Sequence, residues 1–373
     1  MSPLMQDALD FALPAGSQAT APAERRGLSR DGIRMLVAHG TATAHHVFAD
    51  LPDLLAPGDL LVVNTSATLP AALDAARGDG RIQPLHVATE LDDGRWVVEL
   101  RRVDNTGPAA DVRVGARLSL PGGVRLTIAA AYPNPHAATS RLWVAWPEPV
   151  TGSATHVLQH GRPIRYGYVA EPWPLADYQT VFATHPGSAE MPSAGRPFTD
   201  RLVVRLLAAG VAVAPITLHC GVSSPEVHEP PAPERFEVPA ATARLVDVTR
   251  ASGGRVVAVG TTVVRALESA AAATGAGPAA TEAAATRPAA ATATTATTAP
   301  IRPAAGWTDL VLGPDRPARV VDGLITGLHA PGASHLQLLE AVAGRESVAA
   351  AYSAALDQGY LWHEFGDTML FLP

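Results

Sequence analysis

Four polar clusters follow apolar, strand-like runs, and they hold the residues best placed for chemistry. They are Asn64-Thr65-Ser66; His219-Cys220-Gly221; Gly260-Thr261-Thr262 with Arg265 and Glu268 behind it; and His329 with Pro331, Gly332 and Ser334. In open α/β sheets, ligands bind beyond the carboxyl ends of the strands. A strand, a tight Gly turn and a Thr-led helix start suit an anionic group, because free N–H groups and the helix dipole point at it. Gly260-Thr261-Thr262 has that form, although it is neither GxGxxG nor Walker A, and ordinary βα turns share it. His219 and His329 end strands, where a histidine is more often a hydrogen-bonded structural residue than a catalyst. His45-His46 reads as a solvated surface pair.

Several chemistries are excluded. All 28 basic residues are arginine, so a Schiff-base lysine and a P-loop lysine are both ruled out. One cysteine, Cys220, leaves no intramolecular disulfide and no multi-cysteine metal site, and it suits a reducing cytoplasm. Adjacent strand residues face opposite sides, so His219 and Cys220 do not form a dyad and Cys220 reads as buried filler. No HxH or HExxH pattern supports a metal, and no GxSxG elbow supports an acyl-enzyme. The net charge of −7 argues against a broad electrostatic grip on nucleic acid.

The elements that must position these clusters are legible in outline. A chain of 373 residues, 47% hydrophobic, has material for two domains with real cores. No apolar run approaches the roughly 18 residues that cross a bilayer, and the amino-terminal stretch, which opens without basic residues and is broken by Pro3 and Pro14, does not read as a secretory signal. A soluble, cytoplasmic protein with no membrane partner is expected. Residues 66–155 carry short alternating runs at 82–89, 96–101, 116–120, 124–130 and 141–146, separated by turn residues, which predicts an inserted antiparallel β-barrel or sandwich domain. Residues 1–65 and 156–373 form the remainder. There, Thr199 caps a predicted helix to Ala209, followed by a strand over 211–219. A helix over 239–251, a strand over 255–259 and a helix from Gly260 to about Ala273 come next. A strand over 320–329, helices over 334–343 and 346–357 and a closing TMLFL strand complete the pattern. Repeated βα order predicts a mainly parallel α/β sheet domain. Trp143, Trp146, Tyr166, Tyr168 and Trp173 are spaced for barrel or core packing, though one or two could stack on a base. Residues 271–305, rich in Ala, Thr and Pro, read mostly as a loop.

A run of motifs then points to a family: YQTVFA (178–183), Ala194-Gly195 with Phe198-Thr199, RVVAVGTTVVRALESAA (255–271), GWTDL (306–310), VVDGLITGLHAP (320–331) and FGDTML (365–370). Over nearly its whole length the chain resembles the QueA family, the S-adenosylmethionine:tRNA ribosyltransferase-isomerases of queuosine biosynthesis. The resemblance implies a barrel-like α/β domain with an inserted β-barrel. It implies transfer of the ribosyl portion of S-adenosylmethionine, a co-substrate, onto the aminomethyl group of a 7-deazaguanine base in tRNA. Adenine and methionine are released, and no metal is needed. The sulfonium acidifies the adjacent C5′ hydrogen, so a general base is required. By position, Gly260, Thr261, Thr262 and Arg265 match the family's Gly-Thr-Thr…Arg block and are the expected cofactor-binding residues, together with Asn64. Arg265 would reach the cofactor or pair with Glu268. His219, His329 and Asp367 are the catalytic candidates, and Glu234 and Ser334 the substrate contacts.

The departures cluster at the same site. Pro197 replaces a family histidine, and Pro231-Ala232-Pro233-Glu234 keeps the acid of a family segment without its histidine. Gly221-Val222-Ser223-Ser224-Pro225 replaces GLGTF. Arginines are absent near Ala67 and Gly332. Two alternatives are therefore compatible with the sequence. One is a paralogue that binds S-adenosylmethionine but acts on a small-molecule acceptor or transfers another part of the cofactor. The other is a non-catalytic ligand- or RNA-binding module.

Overall fold

The computed structural model describes residues 11–137, 140–169, 171–223, 229–275 and 300–373. In chain order, the hairpin β1 (Arg34–His39) and β2 (Ala42–Val47) leads through the single turn α1 (Leu51–Leu54) to β3 (Leu60–Asn64) and the short β4 (Ser66–Thr68). Six strands follow: β5 (Ala72–Arg77), β6 (Ile82–Glu90), β7 (Trp96–Leu100), β8 (Arg117–Ser119), β9 (Arg125–Tyr132) and β10 (Leu142–Glu148). Then come α2 (Ser153–His160), β11 (His185–Ser188), α3 (Asp200–Ala208), β12 (Ala212–Leu218), β13 (Glu234–Val238), α4 (Ala240–Ala251) and β14 (Val256–Val259). The chain finishes with α5 (Thr261–Gly275), β15 (Ala304–Thr308), β16 (Gly323–Gly327), α6 (Ser334–Ala343), α7 (Arg345–Asp357) and β17 (Thr368–Leu372).

Strands β5–β10 close into an antiparallel barrel in the order β10-β7-β6-β5-β8-β9. Closure leaves no unpaired sheet edge. Its hydrophobic core draws on all six strands, with Trp96 fully buried and Trp143 nearly so. Five of the six strands fall in the predicted runs. The sixth, β5, is written Ala-Leu-Asp-Ala-Ala-Arg, without the β-branched or aromatic residues that mark a strand.

The larger sheet has nine strands in the order β15-β13-β12-β3-β14-β16-β17-β1-β2. Its centre, β12-β3-β14-β16, is parallel, as βα crossovers require. Antiparallel pairs flank that centre at β12/β13, β13/β15 and β16/β17, and the β1/β2 hairpin forms one edge, so the sheet is mixed. β3 runs through its middle and is buried at every residue. Leu60 and Val62 pack on one face against α4–α7; Leu61 and Val63 pack on the other against α3. This period of two explains why LLVVN reads as unbroken hydrophobicity.

Helix predictions hold closely. Thr199 Oγ1 accepts from Leu202 N–H at 3.1 Å and caps α3. The expected loop at 271–305 is narrower: α5 continues to Gly275 and β15 begins at Ala304, and residues 276–299 lie outside the described residues. Among the described residues, no helix is long and apolar enough to cross a membrane.

Candidate active site

A cavity of about 450 Å³ opens beyond the carboxyl ends of β14 and β16, walled on one side by Arg141 from the barrel. That volume lies within the roughly 300–1,000 Å³ of small-molecule sites. The turn at Gly260 forms part of its wall. Gly260 has φ +98°, a left-handed conformation that glycine adopts without strain, and its N–H donates to Ile325 O at 2.8 Å. Val263 N–H returns to Gly260 O at 3.1 Å. Thr261 and Thr262 thus begin α5 at the cavity wall, and among the described residues neither amide N–H has an acceptor. The start of a 15-residue helix there is suited to a carboxylate.

Arg265 lies one turn on, lines the cavity and is buried. It does not pair with Glu268, the partner the sequence suggested. Glu268 Oε1 accepts from the backbone N–H groups of Arg319, Val320 and Val321 and ties α5 to the chain entering β16. Arg265 instead donates to Glu234 and to the carbonyls of Leu310 (3.1 Å) and Thr308 (3.1 Å). Glu234 also accepts from Gly221 N–H at 3.0 Å. Burial raises the Glu234 pKa, and Arg265 works against that rise. The pair is an internal clamp at the cavity wall.

His329 and Ser334 also line the cavity. His329 Nε2 lies 3.0 Å from Thr326 Oγ1, its backbone N–H donates to Tyr352 Oη at 3.0 Å, and its backbone carbonyl accepts from Trp362 Nε1 at 3.0 Å. Its ring stacks on His335 at 4.6 Å and 5°. Burial holds the His329 pKa well below the usual imidazole value and that of His335 down to about 4. Both rings are neutral at pH 7, the form that accepts a proton.

The other candidates are held by the surrounding fold, although Asn64 Nδ2 comes within 3.4 Å of the Oγ1 of cavity-lining Thr262 and Cys220 itself stands in the cavity wall. Asn64 is outside the cavity wall: its Nδ2 donates to Leu218 O, and its Oδ1 accepts from Leu218 N–H and Ser66 N–H. Its amide locks β3 to β12. His219 points to the opposite side from Cys220, with Nδ1 at 2.7 Å from Ser66 Oγ. Gly187 leaves room for its ring, which a Cβ there would meet at 2.3 Å. Cys220 is buried, and burial pushes its thiol pKa up, so it is held as the thiol. Asp367 accepts from Arg34 N–H, Nε and Nη2 and from Leu361 N–H, which binds β1 to the loop before β17. Its oxygens are occupied by the fold.

Several cavity residues were not singled out as site residues by the sequence: Glu190, Glu364, His335 and His363. Tyr166 and Tyr168 stand in the cavity wall, whereas Trp143 is barrel core and Trp146 sits at the surface under Arg95. The one available signal was proximity. Glu190 lies between YQTVFA and the Ala194-Gly195 segment, and Glu364 directly precedes FGDTML. Among the described residues, no cluster of His, Cys, Asp or Glu could hold a metal ion.

Comparison with known proteins identifies the family. The family model described as queuosine biosynthesis protein matches residues 6–371. The S-adenosylmethionine:tRNA ribosyltransferase-isomerase of Gloeobacter violaceus is 35% identical over 99% of this chain and 96% of its own length. The protein of that name from Anaeromyxobacter dehalogenans is 36% identical over 97% of this chain and 98% of its own. The crystal structure of the S-adenosylmethionine tRNA ribosyltransferase from Thermotoga maritima superposes with a TM-score of 0.50 at 26% identity, covering 97% and 99% of the two chains. Matched from end to end by the family model and by relatives of similar length, the chain belongs to the queuosine biosynthesis protein family.

Proposed function

We propose that the chain is an S-adenosylmethionine-dependent ribosyltransferase-isomerase that modifies a 7-aminomethyl-7-deazaguanine base in tRNA, in the cytoplasm. The observation that carries this reading is a single cavity joining three requirements of the reaction: a helix start for a carboxylate, neutral imidazoles for a proton, and a wall of aromatic rings for bases. Residues 1–65 and 156–373 act as one discontinuous α/β domain and 66–155 as the inserted barrel, with the cavity between them.

S-adenosylmethionine is a substrate here, and the residues present suit it. The Thr261 and Thr262 amides receive the methionine carboxylate, and Ser334 contacts the ribose or the acceptor. Arg265 and Glu234 hold the wall rigid. With Nε2–H of His329 donated to Thr326 Oγ1, its Nδ1 lone pair is left for the C5′ proton that the sulfonium acidifies. The proton passes to the imidazole, and the electron pair left on C5′ is discharged as the ribose C–O and glycosidic bonds break and adenine departs. The acceptor amine then adds as the nucleophile to the electron-poor ribosyl carbon so formed, and methionine leaves from C5′ with the electrons of the C–S bond.

The test is adenine release from S-adenosylmethionine, followed with precursor-modified tRNA and, separately, with free 7-aminomethyl-7-deazaguanine. Release dependent on the modified tRNA is expected. Cofactor binding without release under either condition would overturn the enzymatic reading. Turnover of the free base with inert tRNA would replace tRNA by the small-molecule acceptor.

A further inference from the structure

Two half-buried carboxylates in the cavity wall, Glu190 and Glu364, have no counter-cation among the described residues. Glu190 accepts from Tyr166 Oη, from Ser223 N–H at 2.9 Å and from Ser223 Oγ at 2.5 Å. Glu364 accepts from Tyr168 Oη. Among the described residues, no arginine is within ion-pair distance of either, although every other charge cluster around the site has one, as at Arg265–Glu234 and at Arg141 and Arg101 with Glu99. Burial raises the pKa of both acids, and the proximity of Glu190 raises that of Glu364 further. Buried charge without a partner is costly, and such sites are normally paired.

The phenols that hold these acids form part of a ring stack. Tyr168 lies between Tyr166 (6.0 Å, 19°) and His363 (4.3 Å, 12°). His363 has φ +73°, a left-handed backbone on a non-glycine residue beside Glu364. Strain of this kind persists where the surroundings over-determine it, and it concentrates at ligand sites. His363 and Glu364 both meet Tyr168, one on its ring face and the other at its hydroxyl, and both line the cavity.

From these observations we infer that Glu364, with Glu190 behind it, forms the subsite that recognises the protonated aminomethyl arm of the acceptor base. The planar base would extend the Tyr166–Tyr168–His363 stack. This rests on the reading of the acceptor given above. A flat ring bearing a primary ammonium matches both halves of the wall: rings for the base, unpaired carboxylates for the cation. The methionine ammonium of the co-substrate belongs instead next to its own carboxylate at the start of α5.

Calorimetric binding of free 7-aminomethyl-7-deazaguanine and of its neutral 7-cyano analogue to the protein loaded with S-adenosylmethionine tests this. The wild type should prefer the aminomethyl base by roughly tenfold to a hundredfold, the effect of a charge-assisted contact. Glu364→Gln should abolish the preference and Glu190→Gln should reduce it, with cofactor affinity unchanged. Because each variant neutralises an unpaired half-buried acid with an isostere, its melting temperature should hold or rise, whereas a purely structural role would lower it. A wild type without preference, a preference retained in Glu364→Gln, or cofactor affinity lost in its place would each overturn the inference. Absence of adenine release with modified tRNA would overturn the proposed function but leave the measured base preference standing.

Discussion

Glu24 shows how environment decides a single side chain. Burial alone would raise its pKa, but hydrogen bonds from Arg30 and Arg196 bring it down from 4.5 to about 2. A depressed carboxylate stabilises the fold above its unfolded pKa, so this contribution is full above pH 4.5 and disappears as pH falls through about 2. The shift corresponds to roughly 3 kcal/mol. Solvent screening of a side chain that is 35% exposed reduces this to about 1 kcal/mol. Glu24→Gln should therefore lower chemical-denaturation stability at pH 7 by that amount and match the wild type at pH 2; equal losses at both values would refute the ion-pair account. At Arg265 the structure changes the expectation drawn from the motif. Arg265→Ala leaves Glu234 buried and unpaired, so a stability loss of about 3–5 kcal/mol is expected. The double variant with Glu234→Gln should recover part of it. A loss of cofactor affinity with unchanged stability would show instead that the arginine serves the ligand directly.

At the scale of elements, helix boundaries were the most legible part of the sequence, because their causes are local. Thr199 caps α3 through one hydrogen bond three residues away, and Gly210, with φ +82°, stands just beyond the helix end. Thr199→Ala should cost about 1 kcal/mol, read as a lower melting temperature with cofactor binding intact. No change would mean that Asp200 in the first turn compensates. Strands were less legible. β5 lacks β-branched residues and is a strand because β6 and β8 pair with it on both sides. β16 follows the predicted apolar run, but its antiparallel pairing with β17 is set by the tertiary path of α6 and α7.

At the scale of the molecule, the barrel joins the larger sheet through a buried ion network. Glu99 in β7 accepts from Arg101 and from Arg141 Nη1 at 3.1 Å, and Arg141 Nη2 donates to Val222 O at 3.1 Å in the loop that follows β12. Arg141→Met removes that bridge and leaves Arg101 to neutralise Glu99. The barrel has its own closed core, so its unfolding should separate from that of the α/β sheet. Differential scanning calorimetry should show two transitions where the wild type shows one. A single transition, merely shifted down, would refute coupling through Arg141.

The sequence by itself determined what depends on local spacing. Gly260-Thr261-Thr262 announced a turn and helix start at a strand end, the absence of lysine removed whole classes of chemistry, and the ordered motifs identified the family. It could not say where long side chains end. Arg265 meets Glu234, Asp367 meets Arg34, and Asn64 meets the backbone of β12 across separations of 31, 333 and 154 residues. No periodicity encodes such pairs. They arise when the sheet order brings remote strand ends together, and that assembly separates residues that hold the wall from those that face the substrate. Glu190 and Glu364 became site residues for the same reason: each is an ordinary loop acid until Tyr166, Tyr168 and His363 enclose it beside a cavity and leave its charge without a partner.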